Sequence, residues 1–227
     1  MSGRVVVVTG AFGVLGGAVA DAFAAQGDKV ARVDYAPSPG IAIDGGIDIG
    51  GIDLTNADAA LKAVSDVVAA LGSIDILVNV AGGFTWETLA DGDATSWNRM
   101  FAMNAVTCIN MTRAALPELE KAAGARIINI GAGSAVVAAA GMGSYAASKM
   151  AVHKLTESLA AELMGKDITV NAILPSIIDT PTNRADMPDA DFGQWVQPAA
   201  VADVILFLAS PGARAISGAL IPVSRGG

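Results

Sequence analysis

Residues 5–16, which read VVVVTGAFGVLG, decide the fold of this chain. Four consecutive β-branched residues predict a strand that is covered on both faces. Three glycines follow, and each has a physical use: one permits a tight turn, one lets the backbone approach a pyrophosphate, and one lets a helix pack closely on the strand. The start of that helix offers free N–H groups to phosphates. An ordinary strand-to-helix turn is the alternative, but the position at the start of the chain favours a dinucleotide site formed by Gly10, Phe12, Gly13, Val14 and Leu15.

Short apolar runs and longer helical patterns alternate along the rest of the chain. The runs that predict buried strands are 5–8, 30–33, 74–78, 127–130 and 168–173, and the predicted helices are 15–25, 57–71, 97–122 and 144–163. This alternation predicts an α/β fold with a doubly wound parallel sheet of the Rossmann type, flanked by helices on both faces, in a single domain over residues 1–227. Segment 176–198 is rich in proline and too long for an ordinary connection, so we expect a lid or substrate loop there.

The composition narrows the class of partner. With 53% hydrophobic and 16% charged residues, the chain predicts a packed globule and not a disordered one. The net charge of −8 argues against nucleic acid and anionic membranes as partners. Cys108 is the only cysteine, which fits a reducing compartment, and a single histidine cannot form a usual metal site. We therefore expect a cytoplasmic protein that acts on a small molecule and uses no metal.

The end of the second predicted strand indicates which dinucleotide is bound. Asp34 stands there, and a carboxylate in this position accepts hydrogen bonds from the adenosine ribose while repelling the 2′-phosphate of NADP. Tyr35 follows it, so no adjacent cation awaits that phosphate. The pattern predicts that NADH is favoured over NADPH; a solvated aspartate in a turn is the alternative.

Tyr145 and Lys149 are the candidate catalytic pair. They stand four residues apart on a predicted helix and therefore share one face. A free tyrosine has a pKa of about 10, and a neighbouring ammonium lowers that value by favouring the phenolate. Spacing of this kind is common on ordinary helix faces, so the chemistry depends on the surrounding motifs.

Those motifs resemble the short-chain dehydrogenase/reductase family, in order and over essentially the whole chain. They are the 9–16 loop, Asp53-Leu54, Asn79-Val80-Ala81-Gly82, Asn104, Tyr145 with Lys149, Asn171 to Pro175, and Ser217-Gly218 through Gly226-Gly227. The resemblance implies that Tyr145 is the general acid/base. It also implies that Lys149 holds the nicotinamide ribose and lowers the tyrosine pKa, and that Asn104 supports a water chain to Lys149.

The resemblance implies further cofactor contacts and an assembly. The contacts are at the adenine for Asp53 and Leu54, near the ribose for Asn79, Ala81 and Gly82, and at the nicotinamide amide for Ile178 and Thr180. Helix 97–122 and the Tyr145 helix are the family's usual dimerisation elements, so a homodimer or homotetramer is implied. By default the tryptophans are expected in the core, although Trp195, in segment 176–198, could face the substrate.

Three positions depart from the family pattern. The glycines are spaced Gly-x-x-Gly-x-x-Gly, Ser176 replaces a glycine after Pro175, and Ala132 stands where the family's catalytic serine is usual. Ser134 lies two residues later, and the sequence leaves open whether it reaches the site.

Three functions therefore compete. The leading one is hydride transfer between NAD(H) and a carbonyl/alcohol pair. The second is NADH-dependent reduction of quinonoid dihydropteridine, because Gly131-Ala132-Gly133 and the residues around His153 resemble the dihydropteridine reductase branch. The third is a non-catalytic NAD-binding scaffold or sensor, which the missing serine suggests.

Overall fold

A computed structural model describes residues 3–40 and 43–225, so the predicted terminal pair Gly226-Gly227 lies outside the described residues. Seven strands form one parallel sheet in the order β3-β2-β1-β4-β5-β6-β7. The strands are β1 (Val5–Thr9), β2 (Lys29–Val33), β3 (Ile47–Ile49), β4 (Ile76–Asn79), β5 (Ala125–Ile130), β6 (Ile168–Pro175) and β7 (Leu220–Val223). The order reverses direction between β1 and β4, which is where ligands bind in sheets of this type.

Helices cover both faces of this sheet. They are α1 (Val14–Ala25), α2 (Ala57–Leu71), α3 (Ala94–Phe101), α4 (Thr107–Leu119), α5 (Gly143–Glu162), α6 (Pro181–Asp186) and α7 (Pro198–Leu208). A π-helix, Ala102–Val106, joins α3 to α4. No helix within residues 3–40 and 43–225 is long and apolar enough to cross a membrane.

The first strand shows why its sequence is an unbroken apolar run. Val5 and Val7 belong to a core cluster with α2 and α4, whereas Val6 and Val8 belong to a second cluster with α1 and α7. Alternate side chains of a strand point to opposite faces, so a strand between two helical layers needs apolar residues at every position.

The predicted α/β fold with a doubly wound parallel sheet is confirmed, and four details differ. The edge strands β3 and β7 were not predicted, since each is short and only partly buried. The predicted helix 97–122 is three consecutive helical segments. Segment 176–198 contains the short helix α6. Helix α7 was not predicted.

Candidate active site

A cavity of about 880 Å³ opens at the carboxyl ends of β1, β2 and β4. Its wall is built by the β1–α1 loop, the segments after β2 and β3, the end of β4 and the α3–π-helix region. Predicted cofactor residues on this wall are Gly10, Phe12, Gly13, Leu15, Asp34, Asp53, Leu54, Ala81 and Gly82. The motifs that are far apart in sequence thus meet on one surface.

The glycine loop leaves room for a ligand and offers it donors. Gly10 has a φ of +63°, and a Cβ there would lie 2.9 Å from Cα of Ala81. A Cβ on Gly16 would overlap the carbonyl oxygen of Gly10. No side chain caps α1, and among the described residues nothing accepts from the backbone N–H of Val14 or Leu15. Free N–H groups at a helix start are a binding site for anions such as phosphate.

Asp34 joins the second strand to this loop. One carboxylate oxygen accepts from the backbone N–H of Phe12 at 2.8 Å, and the other accepts from Ala36 at 2.9 Å. Arg32, two residues earlier, donates to both oxygens of Asp48 at 2.7 Å each. The cation nearest to Asp34 in sequence is therefore already paired with Asp48, and its guanidinium lies 5.5 Å from the centroid of the Phe12 ring.

Lys149 does not line the cavity but lies directly behind Gly82, one of its wall residues. Its side chain is buried, and its ammonium donates to the carbonyl oxygen of Ile130 at 2.9 Å. A Cβ on Gly82, a wall residue, would lie 3.3 Å from Nζ of Lys149. Burial lowers the pKa of Lys149 to about 8, because an apolar environment penalises its charged form.

Asn104 lies in the π-helix and ties two parts of the site together. Its Oδ1 accepts from Gly83 at 2.9 Å, and its Nδ2 donates to the carbonyl of Gly83 and to Oγ of Ser148, both at 3.0 Å. A π-helix inserts one extra residue and is frequent at functional sites. Asn104 therefore holds the segment after β4 against α5, while its support of Lys149 through water stays a prediction.

Tyr145 differs from the expectation in its acidity. Burial raises its pKa to about 12, and the predicted lowering by Lys149 is not found. The physical reason is that the ring is half-buried and packs edge-on against Phe84, with ring centroids 5.0 Å apart. The hydroxyl makes no hydrogen bond to any described residue. At neutral pH Tyr145 is therefore a neutral phenol with a proton to give.

Comparisons with known proteins identify the family of the chain. The short chain dehydrogenase family model matches residues 4–191. The chain belongs to the short-chain dehydrogenase family. It is 31% identical to 2,5-dichloro-2,5-cyclohexadiene-1,4-diol dehydrogenase of Sphingobium indicum, over 100% of this chain and 96% of the relative. It is 33% identical to D-threitol dehydrogenase of Mycolicibacterium smegmatis, over 100% and 93%.

A solved structure and a further sequence relative extend the comparison. The ligand-free aldohexose dehydrogenase of Thermoplasma acidophilum superposes with a TM-score of 0.90 at 28% identity, covering 99% of this chain and 94% of that one. The 3-oxoacyl-[acyl-carrier-protein] reductase of Vibrio harveyi is 30% identical over 100% of this chain and 98% of the relative. These relatives are oxidoreductases of a family that binds NAD(P), and their named substrates differ widely.

Ala132, at the position of the family's usual serine, is buried and is held by a residue from α5. Its backbone N–H donates to Nε2 of His153 at 3.2 Å. Ser134 lies in the 3₁₀ turn Gly133–Ala135, is half-buried, and makes no hydrogen bond to a described residue. Its hydroxyl is therefore available as a donor.

Other predicted contacts of this short-chain dehydrogenase lie off the cavity wall. Asn79 is buried and donates to Thr112 and Asn129 at 2.9 Å each, and the Val14 side chain is exposed. Ile178 is half-buried and pairs with Val196, and the hydroxyl of Thr180 caps α6. The contacts proposed for these residues stay predictions.

The surface beside Tyr145 is apolar and aromatic. Residues 136–140 are all apolar and exposed. Trp86 is 59% exposed and donates from its indole to the carbonyl of Ala140 at 3.1 Å. Trp97 is 39% exposed. The expectation that tryptophans lie in the core is wrong for these two, because they cover the segment that leads into α5.

For Trp195 the default expectation of a core position is confirmed. It is buried and packs on Phe192 with ring centroids 4.7 Å apart, and this burial disfavours the alternative that it faces the substrate. The Arg184 guanidinium lies over the Phe192 ring and donates two hydrogen bonds to the Asp179 carboxylate. The side chains of segment 176–198 are thus mostly engaged with one another.

Sequence reasoning missed several wall residues. Arg99, Met103 and Thr107 line the cavity at intervals of four residues, and this helical spacing was a usable signal. Across the parts of the chain that the structure describes, no three His, Cys, Asp or Glu side chains converge as metal ligands do.

Proposed function

We propose that this protein transfers a hydride between NAD(H) and a carbonyl/alcohol pair, with Tyr145 as the general acid/base. One observation carries the proposal. A neutral, unpartnered Tyr145 hydroxyl and a buried Lys149 ammonium lie one helical turn apart, and the ammonium lies directly behind Gly82, a wall residue of the cavity that the glycine loop also lines. Burying an ammonium destabilises a fold, so a buried lysine directly behind a cavity wall supports a functional role for Lys149.

The cavity wall fits a dinucleotide. The glycine loop has no space for a side chain at Gly10 or Gly16, and the uncapped start of α1 suits a pyrophosphate. The Asp34 carboxylate suits ribose hydroxyls. Arg32 lies over the Phe12 ring, but its guanidinium is engaged by Asp48, and Tyr35 carries no charge, so this segment disfavours a 2′-phosphate. We therefore propose NADH as the preferred cofactor.

Three side chains of the protein have separate proposed roles in the reaction. The bound nicotinamide supplies or accepts the hydride. Tyr145 donates its proton to the substrate oxygen during reduction and takes it back during oxidation. Lys149 binds the nicotinamide ribose, and Ser134 is the available second donor to the substrate oxygen.

The wall beside Tyr145 favours a substrate without charge. The segments 80–86 and 131–144 contain no charged residue, and Trp86, Val136 and Val137 present apolar surface. The relative from Sphingobium indicum acts, by its name, on a chlorinated ring diol. We extend this to the present chain as a preference for apolar cyclic carbonyls and alcohols.

Reduction of quinonoid dihydropteridine is the second candidate. It is favoured by Ala132, which supplies no hydroxyl where the family has its serine. An electron-poor quinonoid ring needs less help from such a donor than a simple ketone does, and losing one donor to a developing oxyanion typically costs about 10²–10³ in rate.

A steady-state screen tests the proposal. NADH oxidation is followed with cyclic ketones, acyl-thioester ketones and quinonoid dihydropterin, and NADH binding is measured in parallel by fluorescence. We expect turnover with an uncharged cyclic ketone and at least a tenfold loss in Ser134→Ala. A silent Ser134→Ala variant with turnover only on the pterin favours the second candidate. Binding without any turnover contradicts both and supports a scaffold or sensor.

A further inference from the structure

We infer that His153 is a positioning residue: its neutral imidazole fixes the loop 131–134 against α5, the helix that carries Tyr145, and protonation of Nε2 releases that loop and lowers turnover at acidic pH. This inference rests on the proposed function, because the loop carries Ala132 and Ser134 beside the reacting oxygen. The histidine itself lies away from the cavity wall and acts through the backbone.

The contact between the imidazole and the loop is tight and leaves no alternative partner. His153 is fully buried, and its Nε2 accepts from the backbone N–H of Ala132 at 3.2 Å. A Cβ on Gly131 would overlap that same Nε2, so the ring fits only against a glycine. The N–H of Gly131 is bonded to the carbonyl of Ile173 at 2.8 Å. Two successive amides of the loop are thus held, one by β6 and one by His153.

The direction of the hydrogen bond determines the protonation state. Because Nε2 accepts, it carries no proton, and the neutral ring must hold its proton on Nδ1. Nδ1 is buried and has no partner among the described residues. A second proton on Nε2 would place two donors against each other, and the bond to Ala132 would be lost.

The position of His153 on α5 links this bond to the catalytic pair. Tyr145, Lys149 and His153 follow one another at intervals of four residues and lie along one stripe of the helix. Lys149 holds the carbonyl of Ile130, and His153 holds the amide of Ala132. One helix therefore carries the candidate proton donor and also holds the end of β5 and the loop that follows it.

The surroundings of the imidazole oppose protonation. Burial first, and then the charge of Lys149, lower the pKa of His153 below its ordinary value of about 6.5; Lys154 lowers it further, and Glu157 raises it. The strand ends packed on the ring, residues 130–132 and 173–174, have no ionisable side chain. The Cys108 thiol, which interacts with Lys149, stays neutral because burial raises its pKa to about 12. The bond to Ala132 is therefore intact at pH 7 and is lost only as the pH falls below about 6.5.

Kinetics of three proteins test the inference. Between pH 5 and 8, with saturating NADH, we expect kcat of the wild type to fall on the acidic side. His153→Gln places an amide oxygen near the position of Nε2 but does not titrate, so it should keep most of kcat at pH 7 and lose the acidic decline. His153→Leu removes the acceptor and should lower kcat about 10–100-fold at every pH, with KM for NADH within about twofold. An unchanged acidic decline in His153→Gln would overturn the inference.

Nuclear magnetic resonance keeps the test independent of turnover. His153 is the only histidine, so one set of imidazole signals reports its titration and its tautomer. We expect the Nδ1–H tautomer at pH 7 and a shift of the Ala132 amide that follows the imidazole titration and is absent in His153→Gln. An Ala132 amide that ignores this titration refutes the inference even in a protein without activity. Absence of turnover together with a coupled Ala132 shift would instead refute the proposed function alone.

Discussion

Replacing Lys149 with methionine should stabilise the cofactor-free protein while it disables the enzyme. Burial lowers the pKa of Lys149 from 10.5 to about 8, which corresponds to a cost of about 3 kcal/mol for keeping its charge in the folded state at pH 7. Methionine has a similar length and no charge. It also gives up the hydrogen bond to Ile130, which is worth about 1 kcal/mol. The net expectation is a gain of about 2 kcal/mol, or about 4–8 °C in Tm for a chain of this size.

The pH dependence has a defined sign. Between about pH 8 and 10.5 the unfolded chain binds a proton at Lys149 that the folded chain does not, so wild-type stability rises with pH across this window. The gain in free energy of unfolding of Lys149→Met over the wild type should therefore be complete below pH 8 and should vanish above pH 10.5. Thermal and urea unfolding, followed by circular dichroism without cofactor, measure it.

A matched control is available on the same helix. Lys154 is exposed and pairs only with Glu157 at the surface, so Lys154→Met should change the free energy of unfolding by less than about 1 kcal/mol. A Lys149→Met protein that is less stable than the wild type at pH 7 would refute the claim that the buried charge of Lys149 destabilises the folded protein.

Two further predictions concern the cofactor. Asp34→Ala should weaken NADH binding and narrow the gap between NADH and NADPH, as measured by fluorescence titration at one salt concentration; equal or tighter NADPH binding by the wild type would contradict the role of Asp34. Gly16→Ala should weaken NADH binding at least tenfold because its Cβ overlaps the Gly10 carbonyl, whereas Gly17→Ala, whose Cβ makes an ordinary contact at 3.6 Å, should be silent. Equal NADH affinities in the two glycine variants would exclude the glycine loop as the binding site of the pyrophosphate.

Local patterns were sufficient for the centre of the fold. The run 5–8 predicts a doubly covered strand because every position meets a helical layer, and Asp34 and the glycines meet on one wall because parallel strands end at the same edge. The edge strands β3 and β7 could not be predicted, because three or four partly buried residues have no distinctive sequence pattern. The division of the predicted helix 97–122 could not be predicted either, because the π-helix has no local signature in this sequence.

Site properties that depend on distant contacts could not be predicted. The pairing of His153 with Ala132 joins residues 21 positions apart, and it needs both α5 and β5 in place. The acidity of Tyr145 was predicted in the wrong direction, because spacing reveals the neighbouring lysine but not the enclosure of the ring. The spacing of the pair was visible, but its environment was not. The cytoplasmic location and the homo-oligomer stay predictions.

The most direct measurement of the central claim is the single-turnover rate of hydride transfer in Tyr145→Phe. The account predicts a loss of at least a thousandfold with an NADH affinity within about twofold of the wild type, because the phenol acts only in the chemical step. A Tyr145→Phe enzyme that transfers hydride at the wild-type rate would contradict the assignment of Tyr145 as the proton donor.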